Sequence, residues 1–208
     1  MYLLFNLRRG LAALILAVGV LSASAAKNEE FDPYTADIEL NIKTPEVSAK
    51  HHAAVVSAMA NLMRTFKGAG YSVEAVRNGE VILVTIPCSK LFAPNSVVLS
   101  EKASSQLSPL VPYVKRHDNY KVVVAVHADN TGDTGYSDRI TADRASAIDD
   151  FFSRETGLGE DSGLIPYGLG SDEPVASNAG IANRAANRRV EIYFIPTKEY
   201  IDKAQKRK

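Results

Sequence analysis

The apolar pattern divides the chain into short segments of changing period. Residues 27–46 are polar, carry Pro33 and Pro45, and read as a leader or linker with one short strand at Ile38–Ile42. From Val47 the pattern changes. Ala54, Val55, Met59, Leu62, Met63 and Phe66 recur at three- and four-residue steps, the period of an amphipathic helix, and Gly68 and Gly70 stop it. Tyr71–Val76 alternates, Arg77-Asn78-Gly79-Glu80 turns, and Val81–Ile86 runs apolar, which predicts a hairpin with an Asn-Gly turn. Residues 95–116 read as a helix, with Leu99, Ala103, Leu107, Leu110, Val111 and Val114 on one side. Val122-Val123-Val124-Ala125-Val126 is a continuous apolar run and predicts a buried strand. A Gly- and Asp-rich loop over 127–135 follows, then a helix over about 137–155. A short strand at 164–168, a polar loop over 171–187 and a last strand at 189–194 complete the pattern, and the charged tail from Thr197 is expected to fray. Strands alternating with helices, with one hairpin included, predict a two-layer α/β (α+β) sandwich: a small mixed sheet with helices packed on one face, preceded by an N-terminal helix and linker.

Composition narrows the setting. With 208 residues, 46% hydrophobic and 23% charged, the chain is long enough for one cored domain plus extensions. The formal net charge is +0. Arg8 and Arg9 are the only charges in the first 25 residues, so the remainder carries 22 basic against 24 acidic residues, a net of −2. That balance gives no electrostatic footprint for nucleic acid. Arg8-Arg9, the apolar stretch Gly10–Ser22 and the small residues Ala23-Ser24-Ala25 have the layout of a secretory signal peptide over residues 1–25. The expected location is therefore the periplasm, after cleavage. A retained anchor is the competing expectation, although a spanning helix needs about 20 apolar residues. The single cysteine, Cys88, cannot form an internal disulfide and reads as a core or near-core residue.

The chemistry concentrates in the loop after the buried strand and in the helix behind it. Asp129 falls just past the C-terminal end of that strand, where ligand groups gather in open α/β sheets. Arg144 lies four residues after Ile140 and four before Ile148, on or beside the apolar face of the helix. A guanidinium there needs an anionic or carbonyl partner, because an unpaired charge removed from water costs several kcal/mol. Two readings stand at this point: an internal pair with Asp129 or Asp143, or a clamp for an external ligand. Enzyme motifs fit poorly. Asp133-Thr134-Gly135 spells an aspartic-protease triplet, but it occurs once and in a polar loop. His127, Asp129 and Ser137 lack a nucleophile elbow, Asp129-x-Thr131-x-Asp133 lacks the glycine and glutamate of a calcium loop, and the histidines lack zinc-ligand spacing. The chain is therefore read as a non-enzyme with no metal or cofactor.

These residues resemble the peptidoglycan-binding OmpA C-terminal-like (OmpA/MotB/Pal) family. The family motif runs roughly Gly-His-Thr-Asp-x-x-Gly-x-x-x-Tyr-Asn-x-x-Leu-Ser-x-x-Arg-Ala. It is met without a gap by His127, Asp129, Gly132, Tyr136, Ile140, Thr141 and Arg144-Ala145. Leu91-Phe92-Ala93-Pro94-Asn95 precedes it, and Gly168-Leu169-Gly170, Pro174, Asn178 and Asn187–Ile192 follow in order. The resemblance implies a peptidoglycan-binding domain over 80–196, following a linker over 26–46 and a helix with the first hairpin strand over 47–79, and followed by a charged tail over 197–208. It implies that Asp129 takes the ammonium and Arg144 the carboxylate of a diaminopimelate side chain in the stem peptide. Asn95, Ala128, Asn130 and Ser137 would add ligand contacts, with Asn187 and Arg188 in support. The chain departs from the motif at Val126 for Gly, Ala128 for Thr and Ser137 for Asn, which bears on affinity and ligand choice. The function implied is the anchoring of a cell-envelope protein or complex to the wall, with residues 27–79 offering a surface for an outer-membrane or envelope partner. The alternative is an envelope adaptor or stator-like protein with an uncleaved N-terminal membrane anchor.

Overall fold

The computed structural model describes residues 32–159 and 164–206, so the signal-peptide segment lies outside the described residues. Five strands form one mixed sheet: β1 (Ser72–Val76), β2 (Val81–Pro87), β3 (Tyr120–Val126), β4 (Leu164–Gly168) and β5 (Arg189–Pro196), in the order β1-β2-β5-β3-β4. Central β5 runs antiparallel to both β2 and β3, while β3 and β4 run parallel. A parallel pair needs a crossover, and the helix between β3 and β4 supplies it.

Among the described residues, seven α-helices accompany the sheet: α1 (Ile38–Asn41), α2 (Ala49–Gly68), α3 (Ala103–Leu107), α4 (Val111–Val114), α5 (Thr134–Thr156), α6 (Ile181–Asn187) and α7 (Lys198–Lys206). Strand alternation sorts the core into two faces. Ile82, Val84, Ile86, Val122, Val124, Val126, Val190, Ile192 and Phe194 join Met59, Phe66, Ile148 and Phe152 in the main core. The ring of Phe66 on α2 sits 4.9 Å from that of Phe194 on β5. Helix α5 lies very close to β4: a Cβ on Gly168 would fall 2.2 Å from the backbone nitrogen of Ala142. Glycine at 168 is what lets α5 seat its first half against the strand end.

Five local expectations change. Ile38–Asn41 is helical, not a strand, because Asp37 accepts the Glu39 N–H at 2.8 Å and caps the turn. The segment is also no free linker. Ile38 and Ile42 pack with Val81, Val123, Ile165 and Ile195 on the second face of the sheet. The Tyr167 hydroxyl donates to Ala36 O at 2.7 Å and accepts from Asn41 Nδ2 at 2.5 Å. The helix expected over 95–116 is a loop followed by the short α3 and α4. Pro109 and Pro112 each remove a helical hydrogen bond there, and Asn95 adopts a left-handed backbone (φ 57). Loop 171–187 ends in α6. The tail expected to fray is helix α7: Ile201 is buried, the Tyr200 ring packs tilted against Tyr120 with centroids 5.1 Å apart, and the charges pair outward as Lys198–Asp202 and Lys203–Glu199.

Candidate functional site

The site lies where β3 ends. His127 N–H donates to Arg189 O at 2.9 Å and Ala128 N–H to Gly170 O at 2.7 Å, so both neighbouring strands pin the start of the loop. Gly170 is itself tied to α5, since its N–H donates to Thr141 Oγ1 at 3.0 Å. Asp129 is thereby fixed at 5% exposure. Its Oδ1 accepts the Thr131 N–H at 2.8 Å, closing an Asx-type turn, and its Oδ2 pairs with Arg188. Burial alone would raise the Asp129 pKa, but the Thr131 hydrogen bonds and the Arg188 guanidinium outweigh it and hold the carboxyl below its ordinary value. Gly132, at φ 98, gives the loop a turn that other residues adopt only under strain.

Arg144 faces the loop from α5, 7% exposed, between Ile140 and fully buried Ile148. Its Nε donates to Ser96 O at 2.8 Å and its Nη2 reaches Ala93 O at 3.5 Å. Its Cζ lies 5.0 Å from the centre of the Phe92 ring. The positive φ of Asn95 turns the chain between those two carbonyls, and the Tyr136 hydroxyl donates to Asn95 Oδ1 at 3.3 Å. Among the described residues no carboxylate pairs with Arg144. The internal pair with Asp129 or Asp143 is therefore not formed. Asp129 is paired with Arg188, and Arg144 meets neutral carbonyl dipoles and an aromatic face.

Between these groups opens a cavity of about 360 Å³. Asn95, Ala128, Asp129, Ser137, Arg144 and Arg188 all line it, with Phe92 and Cys88 at its wall. Asn130 and Asn187 do not. Asn130 N–H reaches Asn178 Oδ1 at 3.5 Å, and buried Asn187 donates to that same oxygen at 2.8 Å while its own Oδ1 accepts from Val175 and Ala176. These two asparagines hold the 174–178 segment to the Asp129 loop and build the site's frame. Ser137 is 4% exposed, and its hydroxyl donates to Asp133 O at 3.3 Å within the first turn of α5. Phe92 and the Ser96 carbonyl were missed as supports of Arg144. The Leu-Phe opening was visible in the sequence, but nothing in it says that Arg144 would sit over that ring. A larger groove of about 550 Å³ between α2 and α7 includes Ala54, Asn61 and Lys203 in its lining, and that lysine pairs with Glu199. It does not bring opposite charges together around a ligand-sized space.

Two buried groups lie close behind the site. Cys88 donates its S–H toward His127 O at 3.9 Å, and burial pushes its thiol pKa up to about 11. On the second face of the sheet, Glu191 Oε1 accepts from Arg189 Nε at 2.6 Å and Oε2 accepts from the Tyr193 hydroxyl at 2.5 Å. The ring of His127 lies 3.3 Å from Glu191 Oε2, near enough for electrostatic attraction but without hydrogen-bond alignment. Burial would raise the Glu191 pKa. His127, Tyr193 and Arg189 more than offset that and bring it down to about 2.

Comparison with known proteins agrees with this architecture. The model of the OmpA family matches residues 91–188. Over 138 residues the chain is 30% identical to "Probable lipoprotein YiaD" of Escherichia coli, covering 66% of this chain and 61% of that protein. Over 86 residues it is 35% identical to "Peptidoglycan-binding protein ArfA" of Mycobacterium tuberculosis, covering 41% of this chain and 26% of that one. The chain thus spans less than two thirds of either relative. Among solved structures, the cell wall anchor of the T6SS from Pseudomonas aeruginosa superposes with a TM-score of 0.55 at 26% identity, covering 66% of this chain and 96% of that one. In the order of its motifs and in its mixed sheet, the segment over residues 91–188 is similar to the OmpA family.

Proposed function

We propose that the domain binds peptidoglycan non-covalently by the diaminopimelate end of a stem peptide, with Asp129 taking the ammonium and Arg144 the carboxylate, and so anchors a cell-envelope protein or complex to the wall. The observation that carries this reading is Arg144. A guanidinium 7% exposed, held by carbonyls and an aromatic ring and facing a cavity across from a carboxylate, is arranged for an incoming anion. Arg grips a carboxylate bidentately, and charge-assisted hydrogen bonds are roughly twice as strong as neutral ones. The peptidoglycan-binding relative and the structurally similar cell wall anchor support the same reading.

The function is binding without turnover. The thiol in the cavity wall is held protonated by burial, with its pKa up at about 11, so it is no nucleophile near neutral pH. The basic, apolar and small-residue order of the first 25 residues supports export, with action in the periplasm at the wall or the outer membrane. Mass spectrometry of the mature N-terminus tests this, and an intact Met1 would favour the anchored, stator-like alternative. The binding itself is tested by co-sedimentation with purified sacculi. The protein is expected to pellet with them and the Asp129→Ala/Arg144→Ala double variant to stay in solution. Undiminished pelleting of the double variant would overturn the reading.

A further inference from the structure

The charged groups lining the cavity are Asp129, Arg144 and Arg188, one negative and two positive, a net of +1. A ligand group with one ammonium and one carboxylate is neutral and matches only Asp129 and Arg144. Arg188 is not a bystander: it holds Asp129 Oδ2, while Thr131 N–H holds Oδ1, so both oxygens of the carboxylate are already engaged. An ammonium that takes Oδ2 competes with Arg188 for that oxygen. The Arg188 side chain is long, 43% exposed and free to swing at the rim, unlike Arg144, which the carbonyls of Ala93 and Ser96 fix.

Resting on the reading above, we infer that Arg188 exchanges partners on binding: it yields Asp129 to the ligand's ammonium and takes a second carboxylate of the same peptide. The site then selects a stem peptide that ends at diaminopimelate, whose main-chain carboxylate is free, over one in which that carboxylate is blocked. Three charges of the diaminopimelate residue, one ammonium and two carboxylates, then meet three protein charges of opposite sign, and neither arginine is left without a counter-ion. The gain is modest, because Arg188 is partly in water: a rim pair of this kind is worth about fivefold in affinity.

The test is calorimetric titration of the protein with two synthetic peptides, L-Ala-γ-D-Glu-meso-diaminopimelate and the same peptide amidated at its main-chain terminal carboxylate. The expected result is about fivefold weaker binding of the amidated peptide by the protein as it stands, and less than twofold discrimination by Arg188→Gln. Equal binding of both peptides by the unaltered protein would overturn the exchange while leaving the Asp129/Arg144 clamp in place. So would discrimination that survives Arg188→Gln. Binding of neither peptide would overturn both. Arg144→Gln serves as the control for the clamp, with loss of both peptides expected.

Discussion

The two walls of the cavity are built in opposite ways. The Arg144 wall is finished: the guanidinium is buried, aimed and held by two carbonyls and a ring, none of which competes with an anion. The Asp129 wall is occupied: one oxygen closes a turn, and the other is held by a half-exposed arginine with which a ligand must compete. A buried cation with only dipoles around it leaves much of its field for a ligand, whereas a carboxylate already paired is contested. Affinity should therefore depend most on the Arg144 wall, and selectivity on the Asp129 wall.

The strongest way to break this contrast is Arg144→Ala. Binding to sacculi is expected to weaken by about 2–5 kcal/mol, the usual cost of removing one partner of a buried charge pair. Urea unfolding should also show a loss of about 1–3 kcal/mol, because the Ser96 and Ala93 carbonyls lose a charged donor. Binding that survives this change would mean that the finished wall is not where the anion sits.

A second variant separates the site from the fold behind it. The Glu191 pKa is brought down from 4.5 to about 2, so its contribution to stability is fully present above about pH 4.5 and is lost as pH falls toward 2. That contribution amounts to about 3 kcal/mol. Glu191→Gln should flatten the acid limb of a stability-against-pH curve measured by urea unfolding. An unchanged acid limb would place the titration elsewhere.

Asp129→Asn comes next, with binding weakened by about 2 kcal/mol through loss of the charge and little change in unfolding, since the amide oxygen still accepts the Thr131 N–H. The Asp129 pKa is held below its ordinary value, so acid should weaken ligand binding at a lower pH than an ordinary aspartate would set, which a pH series of the titration measures. The smallest effect is expected for Tyr167→Phe, which removes the hydroxyl that donates to Ala36 O. About 1 kcal/mol of stability should go, limited proteolysis within residues 33–42 should speed up, and sacculus binding should not change.

The same contrast explains how much of the molecule could be read from its residues. Alternation at β1, continuous apolar runs at β2 and β3, and the 3.6-residue period at α2 and α5 are legible because burial leaves a trace in the apolar pattern. Asp129 and Arg144 stood out because a strand end and an apolar helix face are places where a charge needs a reason. The Asp129–Arg188 pair left no such trace: the two residues are 59 positions apart, and only the β3–β5 register brings them together. The 27–46 stretch reads as a linker because its few apolar residues have no period, yet two of them, Ile38 and Ile42, suffice to cover part of the second face of the sheet once Val123, Ile165 and Ile195 are presented there. The α7 tail reads as frayed because its composition is dominated by charge, yet one buried isoleucine and one tyrosine packed tilted against Tyr120 seat nine residues.

The most direct measurement is a titration of the protein with meso-diaminopimelate followed by amide NMR. Saturable shifts are predicted at Thr131, whose N–H reports on Asp129, and around Ser96 and the Nε–H of Arg144, all following one binding curve. Saturation with no response at these positions, or with shifts confined to another face of the domain, would contradict the clamp.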